Sequence, residues 1–177
     1  RRALVSELGE TGSLPVFGIL LREISTPESQ LREQAIQSAI ELIAHAKPAN
    51  SHIVRKTVGM HLQQFADQDM IDTLSTIADT STPQIRRNAI WVLCQLIDPS
   101  VHTECLDKLI AAIADDDDNT AKMTVSKLAK FTDPVVIDRL EEFIKTNNVE
   151  SRVLRRADYI RDQIETKTAD DRLKDAV

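Results

Sequence analysis

A segment of about one helix pair repeats three times along the second half of this chain, and this repetition constrains the fold more than any other feature. The copies span 66–97, 98–132 and 133–165, and an Asp stands at or beside the start of each. The period, from Asp67 to Asp98 to Asp133, is 31 and then 35 residues. Self-similarity at this period is typical of helical solenoids. The sequence therefore predicts an all-α fold, a right-handed α-solenoid of about nine helices stacked as antiparallel pairs.

Proline placement predicts where the helices begin. Asp98-Pro99 and Asp133-Pro134 combine a capping side chain with a proline, which is favoured in the first helical turn. Thr82-Pro83 and Thr26-Pro27 provide the same signal with threonine, so we expect Asp-Pro to open first helices and Thr-Pro to open second helices. The expected helices lie at about 14–24, 29–45, 51–66, 70–79, 84–97, 100–114, 119–131, 134–145 and 149–165.

Composition supports a helical chain and limits the classes of function. Aromatic residues make up 3% of the chain and glycine occurs four times, which disfavours a β-sandwich or barrel. The net charge of −6 argues against general binding to nucleic acid or to an anionic membrane. No segment is long and apolar enough to span a bilayer and no signal peptide opens the chain, so a cytoplasmic location is the default expectation. The start at Arg1-Arg2 indicates a piece of a longer protein.

The predicted second helices share a short phrase: a hydrophobic residue, a basic residue, two variable positions and a small residue. A small residue allows neighbouring helices to approach closely. The phrase occurs as Leu31-Arg32 to Ala35, Val54-Arg55 to Val58, Ile85-Arg86 to Ala89 and Ala121-Lys122 to Val125.

With this phrase and the Asp-Pro starts, the chain resembles the HEAT-like repeat family, in particular its short repeats of the bilin lyase type. The resemblance covers 66–165 well and 14–66 irregularly, since Arg32 and Arg55 are too close together for a full repeat. The helix at 51–66 is then either an orphan or the remainder of a repeat that lost its first helix. We expect one HEAT-like domain over 1–165 and a polar tail at 166–177 that frays or extends the last helix.

The resemblance implies a ladder of charges between successive repeats. In HEAT-like proteins, basic and Asp positions similar to these pair from one repeat to the next. Surface pairs of this kind contribute little singly and more as a network. The expected ladder residues are Arg32, Arg55, Arg86, Lys122, Asp67, Asp98 and Asp133.

The resemblance also implies that second helices line a concave binding surface. Positions two before and two after the small residue flank the buried stripe, and this column holds the only Trp and the only Tyr, each four residues after an Arg. Such pairs can stack, and Trp, Tyr and Arg dominate interface hot spots. Burial of both rings between repeats is the open alternative. The candidate partner-binding residues are Lys56, Met60, Arg87, Trp91, Lys127, Arg155 and Tyr159.

Charge is distributed unevenly between the predicted helices. The helices at 51–66, 84–97 and 119–131 carry basic residues and no acids, whereas acids collect in the first helices and in the run Asp115 to Asp118. We therefore expect a basic concave groove and an acidic convex back. Such a surface would steer an acidic segment of a partner protein into the groove.

Motifs for catalysis or metal binding are not recognisable. The run Asp115 to Asp118 lacks the alternation and the glycine of a calcium loop, and is read as a solvated loop and helix cap. His102 and Cys105 have no further candidate ligand or catalytic partner nearby, and Cys94 and Cys105 are read as buried apolar residues. No phosphate-binding glycine loop occurs, so we predict no metal, no cofactor and no catalytic residue.

The sequence therefore favours a non-enzymatic scaffold or regulatory segment that binds an acidic peptide or partner surface. Two alternatives come from the resemblance alone. One is a bilin lyase-type subunit, and the other is a nucleic-acid-binding protein like the HEAT-like DNA glycosylases. The acidic total and the few aromatics make nucleic acid the less favoured partner.

Overall fold

The fold is described by a computed structural model that covers residues 14–175, with side chains for 15–169. Within these residues all regular structure is helical, as the sequence predicted. The nine α-helices are α1 (Leu14–Ile24), α2 (Arg32–His45), α3 (Ser51–Gln64), α4 (Gln68–Thr80), α5 (Pro83–Leu96), α6 (Thr103–Ala111), α7 (Asp118–Leu128), α8 (Val135–Thr146) and α9 (Ser151–Asp175), with a 3₁₀ turn at Ala112–Ala114.

The chain folds as two compact units, one ending at Leu96 and the other starting at Ile97. In the first unit, α2 and α4 lie side by side in one layer. A second layer holds α1, α3 and α5, because α3 contacts α1 on one side and α5 on the other. We call these the first and second layers.

The second unit has the same two-layer arrangement. Here α6 packs beside α8 in a first layer, and α7 packs beside α9 in a second layer. The 3₁₀ turn connects α6 to α7 and contacts both. This alternation of layers along the chain is the packing expected of HEAT-type helical repeats.

The layers correct the predicted grouping of the N-terminal helices. The helix predicted at 29–45 was assigned as a second helix, but α2 lies in the first layer beside α4. This assignment was wrong because Leu31-Arg32 to Ala35 reproduces the second-helix phrase. Arg32 is nevertheless buried here and makes contacts of its own. A repeat is therefore α2 with α3, and the next is α4 with α5. Helix α3 therefore pairs with α2, and α1 occupies the second-layer position before this pair.

Fully buried aliphatic side chains between the layers form the core of each unit. They recur at three- and four-residue steps, which gives each helix one apolar stripe. In the first unit they include Leu20, Ile24, Ile36, Ile40, Leu62, Leu74 and Leu93, and in the second Leu106, Leu109, Ile110, Leu128 and Ile164. Burial of such side chains is the main favourable term in folding.

Most predicted helix boundaries hold to within a few residues, but two helices begin about one turn later than predicted. Thr26-Pro27 lies in a turn before α2, and Leu31 is the residue that precedes this helix. Asp98-Pro99 likewise opens a turn rather than α6, whose N-cap is His102. The Asp98 side chain accepts hydrogen bonds from the N–H of Ser100 at 3.0 Å and from its hydroxyl at 2.7 Å. A turn built on such an Asp satisfies the side chain locally and delays the helix.

The other start signals act as predicted. Pro83 is the first residue of α5, and Asp133-Pro134 directly precedes α8. Asp117 caps α7 by accepting a hydrogen bond from the Thr120 N–H at 3.1 Å. The predicted polar tail extends the last helix, because α9 continues to Asp175.

Candidate interaction surface

The strongest candidate site lies in the first unit, where α3 and α5 are neighbours in the second layer. Five residues define it: Arg55, Lys56 and Met60 on α3, and Arg87 and Trp91 on α5. We call this set the α3–α5 surface. Four of the five were predicted as partner-binding residues, and Arg55 was assigned to the ladder.

The indole of Trp91 lies directly on the backbone of Gly59. A Cβ atom added at Gly59 would come within 2.8 Å of Trp91 Cζ3 and 2.9 Å of Cη2. The close approach of the ring therefore requires glycine at this position. Trp91 is half-buried, so one part of the ring is held by α3 and another meets solvent.

The guanidinium over the Trp91 ring is that of Arg55, 5.6 Å from the ring centroid. The sequence indicated Arg87 for this role, because it stands four residues before Trp91 on the same helix. The guanidinium over the ring belongs instead to the neighbouring helix α3. A cation over an indole face is attracted by the ring's negative electrostatic potential, and more strongly where water is excluded.

Arg55 is half-buried and its other recorded contact is neutral. One Nη atom donates a hydrogen bond to Asn88 Oδ1 at 3.3 Å, and Nε is buried without a hydrogen-bond partner. Burial lowers the pKa of Arg55, and the nearby positive charge of Arg87 lowers it further. Both effects disfavour the charged form, and a negative charge placed beside Arg55 would offset them.

The rim of this surface is more exposed than its centre. The Lys56 side chain is exposed, and Met60 on the next turn of α3 is 54% exposed. Ile53, three residues before Lys56 on the same helix face, is 46% exposed. A solvent-facing apolar strip beside a cluster of cations is a common feature of protein-binding surfaces.

The predicted partner-binding residues of the second unit are placed on α7 and α9. Lys127 is half-buried, Arg155 is exposed and Tyr159 is 51% exposed. On α7 both Thr124 and Val125 are buried, and Met123 and Lys127 are half-buried beside them. This part of the column is less basic, because α9 also carries Asp158, which pairs with Arg161 at 2.7 Å.

Two of the predicted ladder residues form an ion pair in the first unit. Arg32 on α2 pairs with Asp67 before α4, with 2.6 Å between Nη2 and Oδ2. Lys122 pairs instead with Asp118 on its own helix at 2.6 Å, because the two are one turn apart. Asp98 and Asp133 are turn-forming side chains whose Oδ1 atoms accept backbone N–H groups two residues ahead. Arg86 is half-buried on α5.

Sequence reasoning missed two structural arginines in the second unit. Arg156 donates to the carbonyl of Ile113 at 2.8 Å and to Asp118 at 2.5 Å, which joins α9 to the start of α7. Arg139 on α8 forms an ion pair with Asp107 on α6, and hydrogen bonding by Asp107 raises the pKa of Arg139. The available sequence signal for Arg156 was the pair of adjacent arginines on α9. Arg156 aligns with Asn88 of α5, however, and not with the basic position of the second-helix phrase.

A polar cleft of about 630 Å³ opens between α2 and α4 in the first layer. Glu33 and Asp72 are among its lining residues, and Asp72 accepts a hydrogen bond from Gln68 at 2.8 Å. The first layer is therefore acidic here, opposite in charge to the α3–α5 surface of the same unit.

Two features of the described residues bear on other kinds of function. Between residues 14 and 175, no group of three or more His, Cys, Asp or Glu side chains is arranged to hold a metal ion. Nor does any helix in that range combine the length and apolarity needed to cross a membrane. Cys94 and Cys105 are both buried free thiols.

Comparison with known proteins agrees with the two-layer packing. The family model described as HEAT repeats matches residues 78–159. A HEAT repeat-containing taxis protein from Halobacterium salinarum is 28% identical over 109 residues, which cover 60% of this chain and 27% of that relative. The chain thus spans about a quarter of the length of this curated relative. Together with the alternating helix layers, the two matches support a HEAT-like repeat family for this chain.

Proposed function

We propose that the chain is a non-catalytic interaction module whose α3–α5 surface binds an acidic segment of a partner protein. HEAT repeats generally mediate protein–protein interaction, which supports a protein as the partner. The observation that carries the finer proposal is the half-buried Arg55, stacked on Trp91 and hydrogen-bonded to a neutral Asn88.

The charge around Arg55 supports an acidic partner. Helices α3 and α5 contain no Asp or Glu, so no carboxylate of either helix is available to pair with Arg55 or Lys56. Arg55 and Lys56 make no ion pair with any residue that the structure describes. A carboxylate brought by a partner would form charge-assisted hydrogen bonds with these groups and relieve the repulsion between Arg55 and Arg87.

The apolar part of the surface supports a peptide rather than a small anion. Met60 and the open part of the Trp91 ring can bury an aliphatic or aromatic side chain of the partner. Rigid aromatic anchors beside arginines are the residues that most often dominate binding free energy. The partner segment expected is therefore acidic with at least one apolar residue.

A double substitution tests this proposal. Arg87→Gln with Trp91→Ala removes one cation and the ring, while Arg22→Gln, on exposed α1 surface, serves as a control of matched charge change. The immobilised domain is incubated with extract of its source cells at low and high salt. We expect a protein captured by the wild type and by Arg22→Gln to be lost with the double variant and weakened by salt. Equal capture by the double variant, shown by circular dichroism to be folded, contradicts the proposal.

The two alternatives from the sequence predict different results. A bilin lyase-type subunit should change the absorbance of free bilin on mixing. A nucleic-acid-binding protein should retain a short duplex at low salt, with affinity falling steeply as salt rises.

A further inference from the structure

We propose that the α3–α5 surface recognises a phosphoryl group carried by a serine or threonine of the partner segment. This inference rests on the proposed function, since it specifies the acidic group that the same surface binds. It uses Arg55, Lys56 and Arg87 as the phosphoryl ligands and Trp91 with Met60 as the contact for a neighbouring apolar residue.

Arg55 is the first reason to expect an anion of high charge. It is fixed between the ring of Trp91 and the amide of Asn88, so its guanidinium is already oriented before a ligand arrives. Neither contact neutralises its charge. A preoriented guanidinium binds phosphate with less loss of conformational entropy than a free one, and its planar fork matches two phosphate oxygens.

The neighbouring cations are the second reason. Arg87 is close enough for its charge to lower the pKa of Arg55, and Lys56 is exposed on the adjacent position of α3. A single carboxylate supplies one negative charge, whereas Arg55 and Lys56 together carry two positive charges. A phosphoserine or phosphothreonine supplies about 1.5 to 2 charges at neutral pH and three acceptor oxygens. The phosphoryl group therefore matches the cluster better in both charge and number of acceptors.

The surroundings favour a phosphorylated protein over a nucleic acid. The exposed Met60 and the half-buried Trp91 offer apolar contact directly beside the cations. Binding along a nucleic acid backbone requires a longer track of positive charge, and the chain as a whole carries a net charge of −6. Three cations on two neighbouring helices suit one phosphoryl group on a peptide.

Trp91 provides a direct measurement, because it is the only Trp in the chain. The probe is a Trp-free peptide with one phosphoserine flanked by Leu and Glu, compared with the same peptide carrying Ser or Glu at that position. Tryptophan fluorescence of the full chain is titrated with each peptide, with inorganic phosphate as competitor and with a short oligonucleotide in a separate series. Arg55→Gln and Arg87→Gln are the test variants, and Arg22→Gln is again the control.

We expect the phosphopeptide to change Trp91 emission and to bind at least about tenfold more tightly than the Glu peptide. Arg55→Gln and Arg87→Gln should each remove most of this preference, whereas Arg22→Gln should leave it intact. Equal affinity for the phosphoserine and Glu peptides overturns the inference, as does an equal or stronger response to the oligonucleotide. No change of Trp91 emission with any peptide also overturns it.

Phosphatase treatment separates this inference from the proposed function. The extract used in the capture experiment is treated with phosphatase before it meets the wild-type domain. Loss of the captured protein supports phosphoryl recognition. Capture that survives phosphatase but is lost with the Arg87 and Trp91 double variant overturns the phosphoryl inference and retains the acidic-segment proposal.

Discussion

Arg32 and Asp67 form an ion pair that joins three helices of the first unit. The Nη2 and Oδ2 atoms are 2.6 Å apart, and the Arg32 side chain is 7% exposed. Arg32 Nε also donates to the carbonyl of Ile24 at the end of α1, at 3.0 Å. Asp67 accepts the Met70 N–H at 2.9 Å and so caps α4 at the same time. The pair therefore fixes the end of α1 and the starts of α2 and α4.

Removing the Arg32 charge should destabilise the first unit. We expect Arg32→Met to lower the free energy of unfolding by about 2–3 kcal/mol, because it removes the hydrogen bond to the Ile24 carbonyl and the positive charge paired with the Asp67 carboxylate. Lys122→Met is the matched control, since Lys122 also forms a 2.6 Å ion pair but with its side chain 72% exposed. Its urea midpoint should remain almost unchanged. Similar urea midpoints for the two variants would contradict the structural role assigned to Arg32.

The same pair should make stability depend on pH in the acidic range. Burial alone would raise the pKa of Asp67, but the hydrogen bond from Arg32 and the capping N–H of Met70 outweigh it, and the pKa is lowered overall. A carboxyl whose pKa is lower in the folded state contributes stability that is fully present above its unfolded pKa of about 3.9. This contribution is lost as the pH falls below that value and through the folded pKa.

Asp67→Asn isolates this contribution, because Asn still caps a helix but does not titrate. Urea unfolding of wild type and variant is compared between neutral pH and pH values below the unfolded pKa. The difference in unfolding free energy between them should be constant near neutrality and should shrink as the pH falls. A difference that does not change over this range would show that Asp67 has the same pKa folded and unfolded.

The sequence predicted the existence and type of almost every helix, because local signals determine both. Apolar stripes with three- and four-residue steps and proline at helix starts act within one helix or turn. The layer in which each helix packs depends on contacts between distant segments. The phrase at Arg32 illustrates this limit, since it matches the second-helix pattern while the guanidinium it carries bonds to Asp67, 35 residues away.

The residues of the candidate surface were predicted from local signals, but the contacts between them were not, because those contacts depend on how two helices pack. Counting two positions either side of the small residue gave Lys56, Met60, Arg87 and Trp91. The contact that organises them was not visible, because Arg55 and Gly59 meet Trp91 from the neighbouring helix. A lone glycine in a helix opposite the only Trp of the chain was the available signal, and its meaning depends on how the two helices pack.

Two adjacent arginines on α9 should differ sharply in their effect on stability. Arg156 has a side chain 15% exposed and donates to the Ile113 carbonyl at 2.8 Å, whereas Arg155 is exposed. Arg156→Ala should lower the free energy of unfolding of the second unit by about 1–2 kcal/mol through the lost hydrogen bond to a part-buried carbonyl. Arg155→Ala should leave the thermal midpoint almost unchanged. The reverse order of effects would place the structural arginine at Arg155.

Gly59 and Gly18 offer a matched test of how Trp91 is seated. Alanine is the better helix former by up to about 1 kcal/mol at either position. At Gly18, on α1, an added Cβ meets no atom within 4 Å, so Gly18→Ala should be stabilising. At Gly59 the Cβ would come within 2.9 Å of two Trp91 ring atoms, and because the ring is half-buried it can swing outward. The cost of displacing the ring from α3 then offsets part or all of the stability gained from the higher helix propensity of alanine.

Fluorescence and unfolding measured on the same two variants separate these effects. Gly59→Ala should shift the Trp91 emission to longer wavelength, because the displaced ring meets more water, and should raise stability less than Gly18→Ala. Gly18→Ala should leave the emission wavelength of Trp91 the same as in the wild type. The displaced ring also moves away from the Arg55 guanidinium, which then loses the contact that orients it. Gly59→Ala should therefore weaken binding at the α3–α5 surface although it alters no cation. An unchanged emission in Gly59→Ala would show that Trp91 does not rest on Gly59 in solution, and the preoriented position of Arg55 would then lack its support.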